Sequence, residues 1–240
     1  MKTKSAIAAV GLWAMGLLVA PAAMAVSLDF NIGAPTVGTV SYAGDSAALI
    51  GTGIEVDNVV GLSTPANSNV TGFCLSCALN FNTGALISVG GPPPSGSNNG
   101  WWSFGSGGSV TITGGVDFQG TTTDIALGST LLTGSFNSAF VQDLGTQGFK
   151  VTFGTFSDTK HPDLLAYYGL TTGTPFQGAF TLLFASPNPG VGGAFTSTSI
   201  FSGNVVNTVD VAPVPLPAAF LLFGSGLAGV LAAKGRRLFS

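Results

Sequence analysis

Charge is what this chain has least of. Only 7% of its 240 residues are Asp, Glu, Lys or Arg, against ~25% in ordinary soluble domains. The bases sit almost wholly at the ends: Lys2 and Lys4 at the start, Lys234, Arg236 and Arg237 at the finish. Between residues 26 and 212 only Lys150 and Lys160 are basic, two against ten acids, a formal −8. Such a body lacks the clustered Lys and Arg on which nucleic-acid binding relies, and that reading is not favoured. Histidine is nearly absent too, His161 being the single one, and Cys74 and Cys77 are the two cysteines. A four-ligand zinc site would then need carboxylates. Haem attachment needs His directly after the second Cys, where Ala78 stands. No G-x-S-x-G elbow and no H-E-x-x-H occurs, so no catalytic residue, metal or cofactor is assigned.

Glycine and phenylalanine are abundant instead, 36 and 18 residues. They favour short strands joined by tight turns over helices.

Both ends read as addresses. MKTKS, the apolar stretch Ala6–Ala20 and the small-x-small site Ala23-Met24-Ala25 are the three parts of a secretory signal peptide, cleaved after Ala25. At the other end Val214-Pro215-Leu216-Pro217 precedes an uncharged run from Ala218 to Ala233, closed by Lys234, Arg236 and Arg237. As a helix these residues would extend roughly 24 Å, enough for a membrane span with local thinning. The terminal bases would hold the C-terminus on the cytoplasmic side.

That run contains GSGLAG, Gly224 to Gly229, which fits G-x-G-x-x-G. A dinucleotide loop follows a strand and needs an acid about twenty residues on. Here the chain ends first. Ser225 with Gly229, and Gly224 with Ala228, instead make a small-residue face on which another helix packs closely.

The Pro-x-Pro tract, the apolar helix and the basic cluster, in that order, resemble a PEP-CTERM sorting signal, closest to the variant whose signature reads VPLPA. Leu216 stands where the usual motif has glutamate. The resemblance covers about the last twenty-five residues. It implies an exported protein of a Gram-negative bacterium that makes an exopolysaccharide matrix. It also implies an inner-membrane intermediate facing the periplasm, and recognition by an exosortase, a membrane transpeptidase-like partner. Residues 1–25 are thus a signal peptide, 26–212 the body, and 213–240 the sorting signal with a transmembrane helix over 218–233.

In the body, period-two alternation is plain at Ile54 and Val56, at Val110 and Ile112, and at Phe149, Val151 and Phe153. It predicts antiparallel strands with one wet face. Their number and spacing predict a mainly β fold, an antiparallel β-sandwich with the jelly roll as one form of it. One short helix is expected from about Pro162 to Tyr168, with Pro162 at its first position and Gly169 at its stop. Gly90–Gly100 reads as a long exposed loop.

Several local patterns invite chemistry. Cys74 and Cys77 predict a local disulfide in an exported protein. His161, near Asp158 and Asp163, reads as a cap residue rather than a general base. Asp158 with Asp163, and Glu55 with Asp57, do not match a calcium loop and read as solvated acids. Thr111, Thr113 and the run Thr121-Thr122-Thr123 read as polar strand faces rather than a regular array. Adjacent Trp101 and Trp102 on a strand point to opposite faces, leaving one for the core and one free to stack on a sugar. The first functional reading is a non-catalytic surface or matrix protein. The second is a carbohydrate-binding module acting on exopolysaccharide. The third is a polysaccharide hydrolase, which needs two acids facing one cleft.

Overall fold

The computed structural model describes residues 25–91, 100–118, 125–187 and 190–209. The apolar stretch of the signal peptide, the sorting motif with its helix over 218–233, and Thr121-Thr122-Thr123 lie outside the described residues. No helix among the described residues is long and apolar enough to cross a membrane.

The elements in chain order are β1 (Ser27–Ile32), β2 (Thr39–Tyr42), β3 (Ala48–Leu62), β4 (Thr71–Gly90), β5 (Trp101–Phe104) and β6 (Gly108–Asp117). After them come β7 (Ile125–Phe136), β8 (Ala139–Asp143), β9 (Phe149–Lys160), the helix α1 (Pro162–Tyr167), β10 (Phe176–Ala185), β11 (Phe195–Thr196) and β12 (Ser199–Val209). The alternation seen in the sequence decides which side chains turn inward. Ile54, Val56, Val110, Ile112, Phe149, Val151 and Phe153 are all buried. Helix α1 ends one residue earlier than expected, with Gly169 at φ 73° just beyond its cap.

Among the described residues all strands belong to one antiparallel sheet, ordered β11-β2-β3-β1-β12-β10-β9-β7-β6-β4-β5-β8, with further pairings β3–β4 and β9–β8. The expected sandwich of two sheets is therefore corrected to a single sheet that closes on itself. Four pairs of strands act as single broken staves. β5 and β6 both line the same edge of β4, through Leu86–Gly90 and Phe73–Asn82 respectively. β8 and β7 likewise share one edge of β9, and β1 and β2 share one edge of β3. β11 and β12 run along β2 and β1. Eight staves result, each paired with the next in sequence, and the last pairs with the first through Ser27↔Thr208 to Ile32↔Gly203. This is an up-and-down barrel, without the crossing connections of a jelly roll. Closure satisfies the edge groups that an open sheet leaves exposed.

The break between β1 and β2 ends at Gly38, at φ 108°. A Cβ there would stand 2.5 Å from Ile54 Cα, so the backbone contact with β3 requires glycine.

An eight-stranded barrel leaves an interior just wide enough for side chains, and here aromatic rings fill it in tiers. Tyr42, Trp102, Phe104, Phe149, Phe184 and Phe195 pack at one end. Phe81, Phe136, Phe153, Phe156 and Phe180 pack at mid-height. At the other end Phe118 packs against Tyr167 and Tyr168, the last residue and the C-cap of α1, which also pack on each other. Tyr168 donates from its hydroxyl to the carbonyls of Val59 and Val70, tying the helix to the barrel rim. The barrel's first residues, at Ser27, and its last, at Thr208, lie together at this helix-bearing pole. Gly90, Trp101, Asp143 and Phe149 lie at the opposite pole.

Candidate functional site

The two adjacent tryptophans of β5 part as strand geometry requires. Trp102 turns inward, 1% exposed, among Phe149 and Phe195. Its indole N–H finds no acceptor among the described residues. Trp101 turns outward. Its partner across β4 is Gly90, and the indole lies flat where a side chain at Gly90 would stand, at 2.3 Å from the position of a Cβ. On its other flank the ring of Phe140, on β8, lies nearly parallel, at 25° and 5.7 Å between centroids.

Phe140 is 41% exposed, an unusual place for a large apolar ring. The register surrounds this pair with uncharged polar groups and one base. Trp101 pairs with Gln142, and Gln142 pairs with Lys150 of β9. Phe140 lies between Ser103 and Thr152. Further round, Thr152 pairs with Thr181, Thr181 with Asn204, Asn204 with Asn31, and Asn31 with Asn58. The asparagines of that row are hydrogen-bonded to one another, Asn31 donating to Asn58 at 2.9 Å and Asn204 donating to Asn31 at 3.3 Å. A flat aromatic pair thus continues into a belt of amides and hydroxyls. That surface chemistry suits a sugar polymer, whose C–H faces rest on the negative face of an aromatic ring. Its hydroxyls meet side-chain donors and acceptors.

Phe140 and Lys150 were not singled out in the sequence. The F-V-Q-D alternation marks Phe140 as outward if Val141 is inward, but only the pairing of β5, β8 and β9 brings these residues beside Trp101. The hydroxyls also form cross-strand rows that spacing along the chain hides: Thr111↔Thr133↔Thr159, and below it Ser109↔Ser135↔Ser157.

The remaining sequence candidates are dispersed. Cys74 and Cys77 are joined as a disulfide within β4, where the ladder to β6 is interrupted between Leu75 and Ala78 and Ser76 takes φ 52°. The motif is a bulge in a strand. His161 caps α1, its Nδ1 accepting from the Asp163 N–H at 3.3 Å. Asp158 and Asp163 do not share a site. Asp163 is exposed at the helix start, whereas Asp158 points into the barrel.

There Asp158 pairs with Lys160, both side chains fully buried, and Lys160 Nζ lies 3.6 Å from the centroid of Phe176. Burial holds the Asp158 carboxyl above the usual range and pushes the Lys160 ammonium down to about 8, each opposed by the attraction of the other. Asp143, also buried, accepts from the Gly145 N–H at 2.8 Å. Glu55 and Asp57 alternate outward on β3, and Asp57 accepts from the Gly33 N–H. No cluster of three metal-ligating side chains occurs among the described residues. An open depression at the helix-bearing pole is lined by Ala25, Ser27, Ser63, Thr64 and Asn69 among others. Ala25 itself is exposed immediately before β1. Ala23, Val214, Pro215, Leu216, Pro217, Ala218, Gly224, Ser225, Gly229, Lys234, Arg236 and Arg237 lie outside the described residues.

No family model, no curated protein and no solved structure matches this chain.

Proposed function

We propose that this chain is an exported, non-catalytic protein of the cell surface or extracellular matrix of a Gram-negative bacterium. Its C-terminal signal is read by an exosortase-type partner. The observation that carries the reading is the ordered tail: Val214-Pro215-Leu216-Pro217, an uncharged run to Ala233, then Lys234, Arg236 and Arg237. Fractionation of cells expressing the full chain, or a chain ending at Pro213, tests the sorting role. The tail-less protein is expected to leave the membrane fraction. Identical distribution of the two would refute the reading.

A second reading, binding of matrix polysaccharide by the body, is favoured by the parallel, outward Trp101 and Phe140 rings and the amide and hydroxyl belt beside them.

A further inference from the structure

We propose that the outer face around Trp101 and Phe140 binds a carboxylated polysaccharide, a polymer of uronic acids, and that Lys150 selects for its acid groups. The inference rests on the polysaccharide reading above and adds the class of sugar. The body has two basic residues. Lys160 is buried and committed to Asp158. That leaves Lys150 as the base presented at the barrel surface among the described residues, and it forms no ion pair there.

Its position is set by register. Lys150 pairs with Gln142 on one side and Leu183 on the other, and Gln142 pairs with Trp101. Two residues along β9, Thr152 pairs with Phe140. Lys150 is therefore diagonal to Phe140 and two strands from Trp101, roughly 10 Å at the usual strand spacing. A sugar ring stacked on the aromatic pair brings a carboxylate of the same or the next residue within reach of a lysine side chain.

The acidic character of the body does not oppose this locally. Gln142, Thr152 and Leu183 are uncharged, and Asp143 turns inward, 3% exposed. Glu55 and Asp57, the outward acids of β3, are separated from β9 by β10, β12 and β1. That is four strand spacings, roughly 19 Å along the surface, beyond the ~8 Å over which charges act at physiological salt. A cation held in an uncharged neighbourhood beside a sugar-stacking surface gives charge complementarity to an acidic glycan, where a neutral glycan would leave Lys150 unpaired.

Native affinity electrophoresis of the full-length protein in mild detergent tests this, with gels containing polygalacturonate, its methyl ester, or amylose. Polygalacturonate is expected to retard the protein most. Lys150→Gln should weaken that retardation roughly threefold to fivefold, the scale of one exposed ion pair, and leave the methyl ester unaffected. Lys150→Arg should preserve it. Trp101→Ala should weaken binding to every gel by about tenfold, the scale of one aromatic contact. Equal retardation by the acid and its ester, with Lys150→Gln unchanged, overturns the selectivity. The polysaccharide reading survives that result if Trp101→Ala still loses binding. Absence of retardation by all three polymers overturns both. Lys150 and Trp101 face outward, so an unchanged circular dichroism spectrum is expected for each variant, and it separates lost binding from lost fold.

Discussion

Inside a barrel lined with aromatic rings, Lys160 and Asp158 are held two residues apart on one strand, both facing inward. Alternation alone would have placed apolar side chains at those positions. Desolvation of two charges is costly, and their attraction offsets it only while both are present. One oxygen of Asp158 has no hydrogen-bond partner among the described residues, so Lys160 and the Phe176 face are what compensate the charges. Lys160→Met strands the carboxylate and should destabilise the protein by about 3 kcal/mol in urea unfolding. Asp158→Leu combined with Lys160→Met should recover most of that loss. A double variant as unstable as the single one would show that the pair is not the source. In sequence, S-D-T-K looks like a solvated turn. The residues that make it interior, Phe176 and Leu132, come from strands that only pairing reveals.

At the scale of elements, β4 shows what local sequence conveys well and badly. Its twenty residues are one strand, bent at the Cys74–Cys77 disulfide, with the cysteines flanking the irregularity that the ladder to β6 shows. A pair of cysteines three apart, in a chain whose N-terminus reads as an export signal, is sufficient grounds to expect the bond. That it sits inside a strand, with Cys77 Sγ 3.2 Å from the Gly115 carbonyl, needed the neighbouring strand. So short a loop restrains little of the unfolded chain, and reduction should lower stability by about 2 kcal/mol or less. Denaturant unfolding with and without a non-thiol reductant measures this, and a loss well above that value would mean the bond fixes the barrel's register. Helix α1 was legible because its signals are local: Pro162 at the first turn, the His161 cap and Gly169 beyond the end.

The whole barrel couples its buried groups to pH. Burial lowers the Lys160 ammonium from 10.5 to about 8. Between those values the unfolded chain keeps a proton that the folded one has released, so folding stability rises with pH across that window. The rise is at most about 1.4 kcal/mol per pH unit for one proton. Tyr42 and Tyr168 act oppositely. Burial raises both phenols above 10, so beyond that pH the unfolded chain loses protons that the folded chain retains, and stability falls. Thermal melts between pH 7 and 11 should therefore pass through a maximum near pH 10. A melting temperature that declines steadily from pH 8 would contradict the burial of Lys160. The same closure brings Ser27 and Thr208 to one pole and leaves Trp101, Phe140 and Lys150 toward the other.

The sequence by itself determined the class of this protein's body, because antiparallel strands with one wet face write their burial directly into alternate residues. It likewise determined α1 and the parting of Trp101 from Trp102, which depend on neighbours along the chain. Its terminal patterns supplied the reading of export and sorting. Tertiary structure alone decided that the strands close into one barrel rather than stack as two sheets. Alternation reports which side is buried, and both architectures bury one side. It also decided that Phe140 and Lys150 stand beside Trp101, about forty and fifty residues away in sequence. Cross-strand pairing joins positions whose separation is set by the lengths of turns and breaks, and no period along the chain records it.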